Sequence, residues 1–490
     1  MIAALALATW MSGLAAPTAA PTLPPLHVGA SPTPAPLPAP FSTPALTPDQ
    51  MQKIDRIALQ ALGEQATSGI SLAIVRGGSV VYSRGYGYAS QELQTTARDA
   101  SLYEVGSISK EFTATAVLLL AEDGKLTLDD TIVRWVPDLP RAKDITVREL
   151  LSMTSGVPDY TDQPSFDKAS QSPVTPAGII ATVKSLPLDF EPGTQWEYSN
   201  TNYVLLGMVI EKAGGMSYSA FLVNRAFKTA GMFSTTSGNA GASSPDLTTG
   251  YAFDGVRFKL DPPWDLTWAY GAGDIVSNVL DLALWDTALL NGKVLTMPSL
   301  RAMWTATALK DGTKVPYGFG WTVETLYGHR EIDDNGGLPG YSGRNAAFPN
   351  DKFDIVVLAN SKSFEAGPLV RQIFELFYPP TKEQIDAQHQ GDDAAMMAAR
   401  AIFRKLQGGT LVAADVTAAA SRRLTPALLG QAKSQLGRLG APTKVDQVDK
   451  YAFGTETVYV YRFTFKQAVL GFSVSLDAAG KVGELSIIPL

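Results

Sequence analysis

The sequence predicts an α+β fold in which strands from the two ends of one domain form a single antiparallel sheet. Two β-rich runs, split by Gly77-Gly78, follow an early helical stretch, and a second strand group covers residues 317–361. Between them lie about two hundred residues of mostly helical pattern with loops rich in glycine and proline. A sheet built from early and late strands, flanked by helices and with a helical region inserted, is an α+β arrangement.

The first 47 residues differ in character from the rest of the chain. Residues 1–20 are an apolar run that ends in small residues, as in a secretory signal peptide, although no Lys or Arg precedes the run. Residues 21–47 are rich in Pro, Ala and Thr and predict a flexible linker. We therefore expect a secreted or periplasmic protein; a mis-set start or a short N-terminal anchor is the alternative.

The remaining sequence predicts two domains. Thr47 as N-cap and Pro48 at the first helical position begin the larger one, which we assign to residues 48–382. Residues 383–490 predict a small α+β domain: one helix ends at Gly408-Gly409, a second covers roughly 414–439, and alternating strands follow. This small domain has no cluster of catalytic residue types, so its role is unknown and a spacer or binding role is the default.

Composition excludes several classes of function. The net charge of −7 and the absence of a Lys/Arg run argue against a nucleic-acid partner. Without cysteine the chain has no disulfide, thiol nucleophile or lipid-anchor cysteine. Three dispersed histidines do not predict a metal site, and we expect no metal and no cofactor. A Ser-His-Asp triad would need His329, but no Gly-x-Ser-x-Gly motif accompanies it.

Ser107 and Lys110 are spaced three residues apart where a helix is predicted to begin. Residues at i and i+3 share a helix face, so the amine can reach the hydroxyl. A serine hydroxyl needs an adjacent base to become a nucleophile, and a lysine is a base only when burial keeps it neutral. The alternative is a solvated helix face. The same spacing at Ser165 and Lys168 shows that the pattern alone is weak.

Two other segments contain candidate partners for this pair. Tyr198 can shuttle a proton beside a lysine, and Asn200 can donate to a substrate carbonyl or hold the lysine. Alternatively, Asn200 or Thr201 caps the following helix and Tyr198 packs as a staple; both interpretations can hold together. The pair Gly336-Gly337 leaves room for a substrate along a late strand, although glycine pairs also occur in plain turns.

Taken in order, these segments resemble the serine β-lactamase and penicillin-binding-protein superfamily. Within it they are most similar to the class C β-lactamase-like group of esterases, D-alanyl-D-alanine carboxypeptidases and D-aminopeptidases. The resemblance covers about residues 50–380 and includes the segments GSISKEFTATAVLLLAEDGKLTLDDTI, ITVRELLSMTSGVPDY, EPGTQWEYSNTNYVLLGMVIEKAGG, GAGDIVSNVLDLALW, YGFGW and NGGLPGYSG. It implies a β-lactamase-like fold for the larger domain.

The resemblance also implies a role for each candidate residue. Ser107 would form the acyl-enzyme, Lys110 would be its base or proton relay, and Tyr198 would pass a proton to the leaving group. Asn200 would bind the substrate amide. The backbone N–H groups of Gly337 and Ser107 would form the oxyanion hole.

One position departs from the family pattern. Where relatives have Lys-Thr-Gly or His-x-Gly, this chain has Asp334-Asn335-Gly336. An aspartate there repels an anionic substrate. Either the substrate is neutral or cationic, such as an ester or a D-amino-acid amide, or Arg344 supplies the positive charge; if Asp334 points away, neither applies. We expect weak β-lactam turnover.

Together these observations predict a secreted serine hydrolase that forms an acyl-enzyme on an ester or amide. Its partner would be a small molecule or peptide, such as a small ester, a D-amino-acid peptide or amide, or a β-lactam-like compound, with cell-wall material among the candidates. The alternative is a non-catalytic penicillin-binding-like protein that acts as a cell-wall sensor or scaffold. No feature of the sequence indicates an oligomeric state.

Overall fold

The computed structural model of the chain describes residues 45–65 and 67–490. The predicted signal peptide and nearly all of the predicted linker lie outside these residues. Within them, no helix has the length and apolar character that crossing a membrane requires.

The helices follow the predicted distribution, with most of them in the middle of the chain and a second group near its end. In chain order they are α1 (Pro48–Glu64), α2 (Ser109–Glu122), α3 (Val147–Leu151), α4 (Phe166–Ala169), α5 (Pro176–Ala181), α6 (Asn200–Gly214), α7 (Tyr218–Leu222), α8 (Lys228–Ala230), α9 (Asn239–Ala242), α10 (Val279–Leu290), α11 (Met297–Met303), α12 (Ala366–Phe377), α13 (Lys382–Gln388), α14 (Asp392–Gly408), α15 (Ala418–Arg423) and α16 (Pro426–Leu436).

The strands fall into an early, a late and a C-terminal group, with short pairs between them. In chain order they are β1 (Gly69–Arg76), β2 (Ser79–Ser90), β3 (Thr95–Thr96), β4 (Tyr103–Glu104), β5 (Thr236–Ser237), β6 (Tyr251–Phe253), β7 (Phe258–Leu260), β8 (Ile275–Ser277), β9 (Thr307–Ala308), β10 (Lys314–Val315), β11 (Thr322–Leu326), β12 (His329–Leu338), β13 (Tyr341–Phe348), β14 (Phe353–Ala359), β15 (Lys444–Phe453), β16 (Glu456–Thr464), β17 (Val469–Leu476) and β18 (Val482–Pro489).

The main sheet confirms the predicted α+β class. Its seven strands are antiparallel and run in the order β11-β12-β13-β14-β1-β2-β3. The early and late groups meet where β1 pairs with β14, with Ile70 opposite Ala359. Because both of these central strands are buried along nearly their whole length, they are almost continuously apolar.

Helices cover both faces of this sheet. On one face, α1 and α12 enclose a core that includes Ile54 and Phe374. On the other face lies the larger core, which contains α2, α6 and α10. Ser109–Leu120 of α2 are all buried, which makes α2 a central helix rather than a surface one. The predicted start of α1 is also confirmed, since Thr47 caps it in a capping box and Pro48 is its first residue.

The C-terminal part has its own core. A four-stranded antiparallel sheet, in the order β15-β16-β17-β18, packs against α14 and α16 around Phe403, Phe463 and Phe472. The predicted second helix at 414–439 is wrong in detail, because it is interrupted between α15 and α16. Thr425 caps a new helix there and Pro426 is its first residue, where the missing N–H costs nothing. The domain boundary at 382/383 stays a prediction.

Candidate functional site

Ser107, Lys110 and Tyr198 form one hydrogen-bonded group. Lys110 Nζ lies 2.9 Å from Ser107 Oγ, and Ser107 Oγ lies 2.7 Å from Tyr198 Oη. Ser107 is partly exposed, whereas Lys110 and Tyr198 are buried. The structure therefore brings together a reachable hydroxyl, an amine and a phenol from segments that are 91 residues apart in the chain.

The backbone before α2 presents Ser107 to the pocket. Gly106–Ile108 forms one 3₁₀ turn that leads directly into α2. Gly106 has φ +55°, and a Cβ there would lie 2.6 Å from the backbone nitrogen of Gly337. Glycine is required at this position for both reasons. The turn thereby brings the backbone of Ser107 close to β12.

Lys110 sits in a buried, electron-rich environment. Its Nζ also donates to Asn200 Oδ1 (3.0 Å) and to the Ala272 carbonyl oxygen (2.7 Å). Burial lowers the pKa of Lys110 from its ordinary 10.5 to about 8, while the carboxylates of Asp334 and Asp159 act in the opposite direction. A substantial fraction of the amine is therefore neutral near pH 8, as a general base requires.

Tyr198 is held as a neutral phenol. Burial raises its pKa well above 10, and the nearby charge of Asp334 adds to the rise. The hydrogen bond from Ser107 opposes this only in part. A neutral phenol has a proton to donate, so the resting site combines a base at Lys110 with an acid at Tyr198.

Asn200 acts on Lys110 rather than capping α6. The N-cap of that helix is Ser199, which makes no side-chain capping bond. The Asn200 side-chain amide donates to Asp159 Oδ2 (2.9 Å), which leaves Asn200 Oδ1 directed at Lys110. Asp159 also accepts from the Asn200 backbone N–H. Sequence reasoning missed Asp159; its only signal was its place in the segment ITVRELLSMTSGVPDY.

The two glycines of β12 form a close contact and an open edge. A Cβ on Gly336 would overlap the carbonyl oxygen of Val105, so this glycine lets the strand lie against the turn before α2. Gly337 is exposed, and no heavy atom lies closer than 3.9 Å to the position its Cβ would take. A pocket opens beside it, lined by Gly106, Ser107, Tyr160, Asn200, Trp264, Ala269, Ala272, Gly273, Gly337 and Leu338.

Asp334 lies on the same face of β12 as Gly336 and is directed toward the site, not away from it. Its charge acts on both Lys110 and Tyr198. Oδ1 accepts the Asn335 backbone N–H at 2.9 Å, and Oδ2 is buried with no hydrogen-bond partner among the described residues. Burial raises the pKa of Asp334 well above 3.8, and the Lys110 ammonium partly counteracts this.

Arg344 does not supply positive charge to this pocket. Its guanidinium is buried and pairs with Glu331 (2.9 Å) and Asp333 (3.1 Å). The next residue on β13, Asn345, donates to Glu111 of α2, so Arg344 projects from the opposite face of the sheet. Of the two explanations for Asp334, the one that relied on Arg344 is wrong for this geometric reason.

The competing serine and histidine candidates lie elsewhere. Ser165 and Lys168 are exposed around the short helix α4, in agreement with a solvated face. His329 Nδ1 bonds to Asp351 Oδ2 (2.9 Å), and its ring packs against Phe374 on the α12 side of the sheet. In the part of the chain that is described, no group of His, Cys, Asp and Glu side chains is arranged to hold a metal ion.

Comparisons with known proteins agree with this geometry. The Beta-lactamase family model matches residues 54–376, and the chain belongs to this family of serine hydrolases. Penicillin-binding protein 4* of Bacillus subtilis (strain 168) is 30% identical over 399 residues, covering 77% of this chain and 87% of that protein.

Two solved structures are similar over different shares of the chain. The D-amino acid amidase from Ochrobactrum anthropi SV3, solved with L-phenylalanine amide, has a TM-score of 0.59 and 28% identity, covering 67% of this chain and 99% of its own. The octameric penicillin-binding protein homologue from Pyrococcus abyssi has a TM-score of 0.62 and covers 88% of this chain and 94% of its own. At 21% identity the latter similarity supports the fold alone.

Proposed function

We propose that this protein is a class C β-lactamase-like serine hydrolase that forms an acyl-enzyme at Ser107 with a neutral or cationic ester or amide. The observation that carries the proposal is the hydrogen-bonded group of Ser107, Lys110 and Tyr198 around a partly exposed hydroxyl. The base and the acid both lie within hydrogen-bond distance of the nucleophilic oxygen, Ser107 Oγ, as covalent catalysis requires.

In the proposed reaction, neutral Lys110 takes the Ser107 proton as Oγ attacks the substrate carbonyl. The developing oxyanion accepts hydrogen bonds from the backbone N–H groups of Ser107 and Gly337. Tyr198 gives its proton to the leaving group and the carbonyl re-forms. The phenolate then regains a proton from the Lys110 ammonium, whose Nζ lies 5.0 Å from the centre of the Tyr198 ring. Water then attacks the ester by the same route in reverse, which releases the acid and restores Ser107.

The charges around the pocket support a substrate without an anionic group near Asp334. The described side chains that line the pocket include no Lys, Arg or His. Asp334 contributes a buried carboxyl with an unpartnered oxygen on the same side as Lys110. An anion entering here would lose hydration without gaining a partner, whereas an ester, an amide or an ammonium group would not.

The pocket lining supports a small acyl group. Tyr160, Trp264 and Leu338 provide apolar surface, and Ala269 and Ala272 contribute short apolar side chains to the lining. The similarity to a D-amino acid amidase supports the inclusion of D-amino-acid amides and peptides among the substrates. Weak turnover of β-lactams follows, because their carboxylate would have no cation to bind.

Acylation without turnover is the second candidate function, and Asp334 is the observation that favours it. A carboxylate near Lys110 stabilises the ammonium form, which weakens the base in both acylation and deacylation. A reactive acyl donor would still acylate Ser107, whereas the less reactive acyl-enzyme ester would persist. Such a protein would be a sensor or scaffold that binds cell-wall material covalently.

The test is an activity panel with a matched pair of serine variants. The panel contains p-nitrophenyl esters, D-amino-acid amides, D-Ala-D-Ala peptides and nitrocefin. Each substrate is assayed with the parent, with Ser107→Ala and with the control Ser165→Ala, because Ser165 also precedes a lysine by three residues. Turnover of esters or amides that only Ser107→Ala abolishes supports the hydrolase. Labelling by a fluorophosphonate without substrate turnover supports the sensor. If the folded protein shows neither labelling nor turnover, both the hydrolase and the sensor are refuted.

Export remains part of the proposal on the basis of residues 1–20. Expression of the full-length gene in a bacterial host, followed by fractionation, tests it. Recovery of a shortened protein outside the cytoplasm supports export, and a full-length cytoplasmic product contradicts it.

A further inference from the structure

The C-terminal domain touches the segment that contains the proposed acid. The tip of the hairpin between β15 and β16 places the Phe453 ring 5.5 Å from the Tyr198 ring and 5.2 Å from the Trp196 ring. The next residue, Gly454, has φ +61° and lies so close to the Trp196 indole that a Cβ would overlap it. Phe453 thereby packs against the core of the larger domain.

Two arginines at the end of α15 bind the residue between those two aromatics. Arg422 Nη2 donates to both carboxylate oxygens of Glu197 at 2.8 and 2.9 Å, and Arg423 Nη2 donates to one of them at 3.2 Å. Arg423 Nε also pairs at 2.7 Å with Asp162, which ends the 3₁₀ turn that follows Asp159. Three consecutive residues, 196–198, therefore have partners in the C-terminal domain.

The contacted segment has no regular secondary structure of its own. Residues 195–199 form no helix or strand, and Ser199 at their end makes no side-chain capping bond to α6. Within the larger domain, the backbone N–H of Glu197 donates to the Met153 carbonyl at 3.2 Å, the Trp196 ring lies 5.7 Å from the Tyr317 ring, and Tyr198 Oη lies 2.7 Å from Ser107 Oγ. The indole N–H of Trp196 is buried without a hydrogen-bond partner among the described residues. The position of the Tyr198 side chain thus depends on packing from outside the segment.

We propose that the C-terminal domain completes the active site by holding Trp196–Tyr198 in place, with Phe453 as the positioning residue for the Tyr198 phenol and Arg422 and Arg423 as anchors through Glu197. This inference rests on the proposed function, since it assigns the phenol a proton to deliver. Loss of the Phe453 ring lets the phenol move away from Ser107 Oγ and admits water to Lys110.

The first experiment replaces Phe453 with Ala and, as the conservative variant, with Tyr; Tyr459→Ala, an aromatic on β16 of the same sheet, is the matched control. In Phe453→Ala we expect kcat to fall by about tenfold or more, as for a misplaced catalytic group, with KM changed by less than about threefold. The low-pH arm of the pH–rate profile should move to higher pH, since hydration raises the Lys110 pKa. Phe453→Tyr and Tyr459→Ala should stay within about twofold of the parent.

A merely structural role predicts a different result. If Phe453 only stabilised the fold, its loss would reduce the fraction of folded enzyme, measured by active-site titration. The kcat per titrated site and the low-pH arm of the pH–rate profile would be unchanged. That outcome, or an equal effect of Tyr459→Ala, overturns the proposal. Phe453→Leu keeps most of the bulk and gives the same comparison if Phe453→Ala does not fold.

The second experiment does not depend on turnover. Hydrogen exchange of the peptide spanning residues 195–203 is compared between the parent, an Arg422→Ala/Arg423→Ala double variant, Phe453→Ala, and Arg438→Ala as an exposed arginine control. Faster exchange of this peptide in the double variant and in Phe453→Ala, but not in Arg438→Ala, supports the proposal even if no substrate is found. Unchanged exchange refutes it and leaves the proposed function standing.

Discussion

The protonation state of Lys110 controls the reaction rate in this account, and Asp334 offers a way to change it. Burial lowers the Lys110 pKa from 10.5 to about 8, a difference worth about 3 kcal/mol between the charged and neutral forms. At pH 7 about a tenth of the amine is then neutral, against about three parts in ten thousand for an ordinary lysine. The carboxylate of Asp334 works against this effect by stabilising the ammonium form.

Burial favours the neutral acid of Asp334, and the Lys110 ammonium favours its carboxylate. Replacing Asp334 with Asn removes that carboxylate and keeps the shape of the side chain. The Lys110 pKa should fall further. Because the neutral amine is the base, the low-pH arm of the pH–rate profile should move to lower pH. The two groups form no direct ion pair, so we assign their interaction about 1 kcal/mol, which is about 0.7 of a pKa unit. At pH 7 this gives about a threefold to fourfold higher kcat/KM.

The assay is kcat/KM for an uncharged ester between pH 5.5 and 10, chosen so that the substrate itself does not titrate. We expect the parent to reach half of its maximum near pH 8 and Asp334→Asn to reach it below that. Asp138→Asn, an exposed aspartate of the same domain, is the control and should match the parent. If the low-pH arm of the profile stays in place or moves to higher pH in folded Asp334→Asn, Asp334 does not raise the Lys110 pKa.

Three further outcomes are expected. Tyr198→Phe keeps the ring but loses the phenol proton, so the rate of amide hydrolysis should fall on the order of a hundredfold. The rate of p-nitrophenyl ester hydrolysis should fall much less, because that leaving group needs no proton. Equal losses for the two substrates would contradict the acid role of Tyr198. Gly336→Ala should lower the melting temperature by several degrees through about 2 kcal/mol of overpacking against Val105, whereas Gly337→Ala, with open space around its Cβ, should melt like the parent. His329→Ala should retain kcat/KM within about twofold in the same ester assay, and a complete loss would restore the triad hypothesis.

Local patterns in the sequence were sufficient for the parts of the site that lie on one element. The i, i+3 spacing of Ser107 and Lys110 needed only a helix start. The apolar run AVLLLA at residues 116–121 is typical of a buried helix, and burial lowers the Lys110 pKa. The meeting of early and late strands followed from their β-rich composition and from their positions at the two ends of the larger domain. The pairing of Tyr198 with Ser107 came from the resemblance, because no spacing rule links residues so far apart.

Features that depend on which face of the sheet a residue occupies, or on contacts between distant segments, could not be predicted from the sequence. The side of the sheet to which Arg344 points depends on the register of β13, and a shift of one residue reverses it. The hydrogen bonds from Asn200, the first residue of α6, to Asp159 join residues that are 41 positions apart in the chain. The contact of Phe453 with Tyr198 joins two domains, so no local pattern around Phe453 indicates it.

The most direct test of the central claim, that neutral Lys110 activates Ser107, is the pH dependence of covalent labelling by a fluorophosphonate with peptide mapping by mass spectrometry. We expect an adduct on the peptide that contains Ser107, a labelling rate that is half-maximal near pH 8, and loss of labelling in folded Lys110→Met. An adduct on another serine, or equally fast labelling of Lys110→Met, would contradict it.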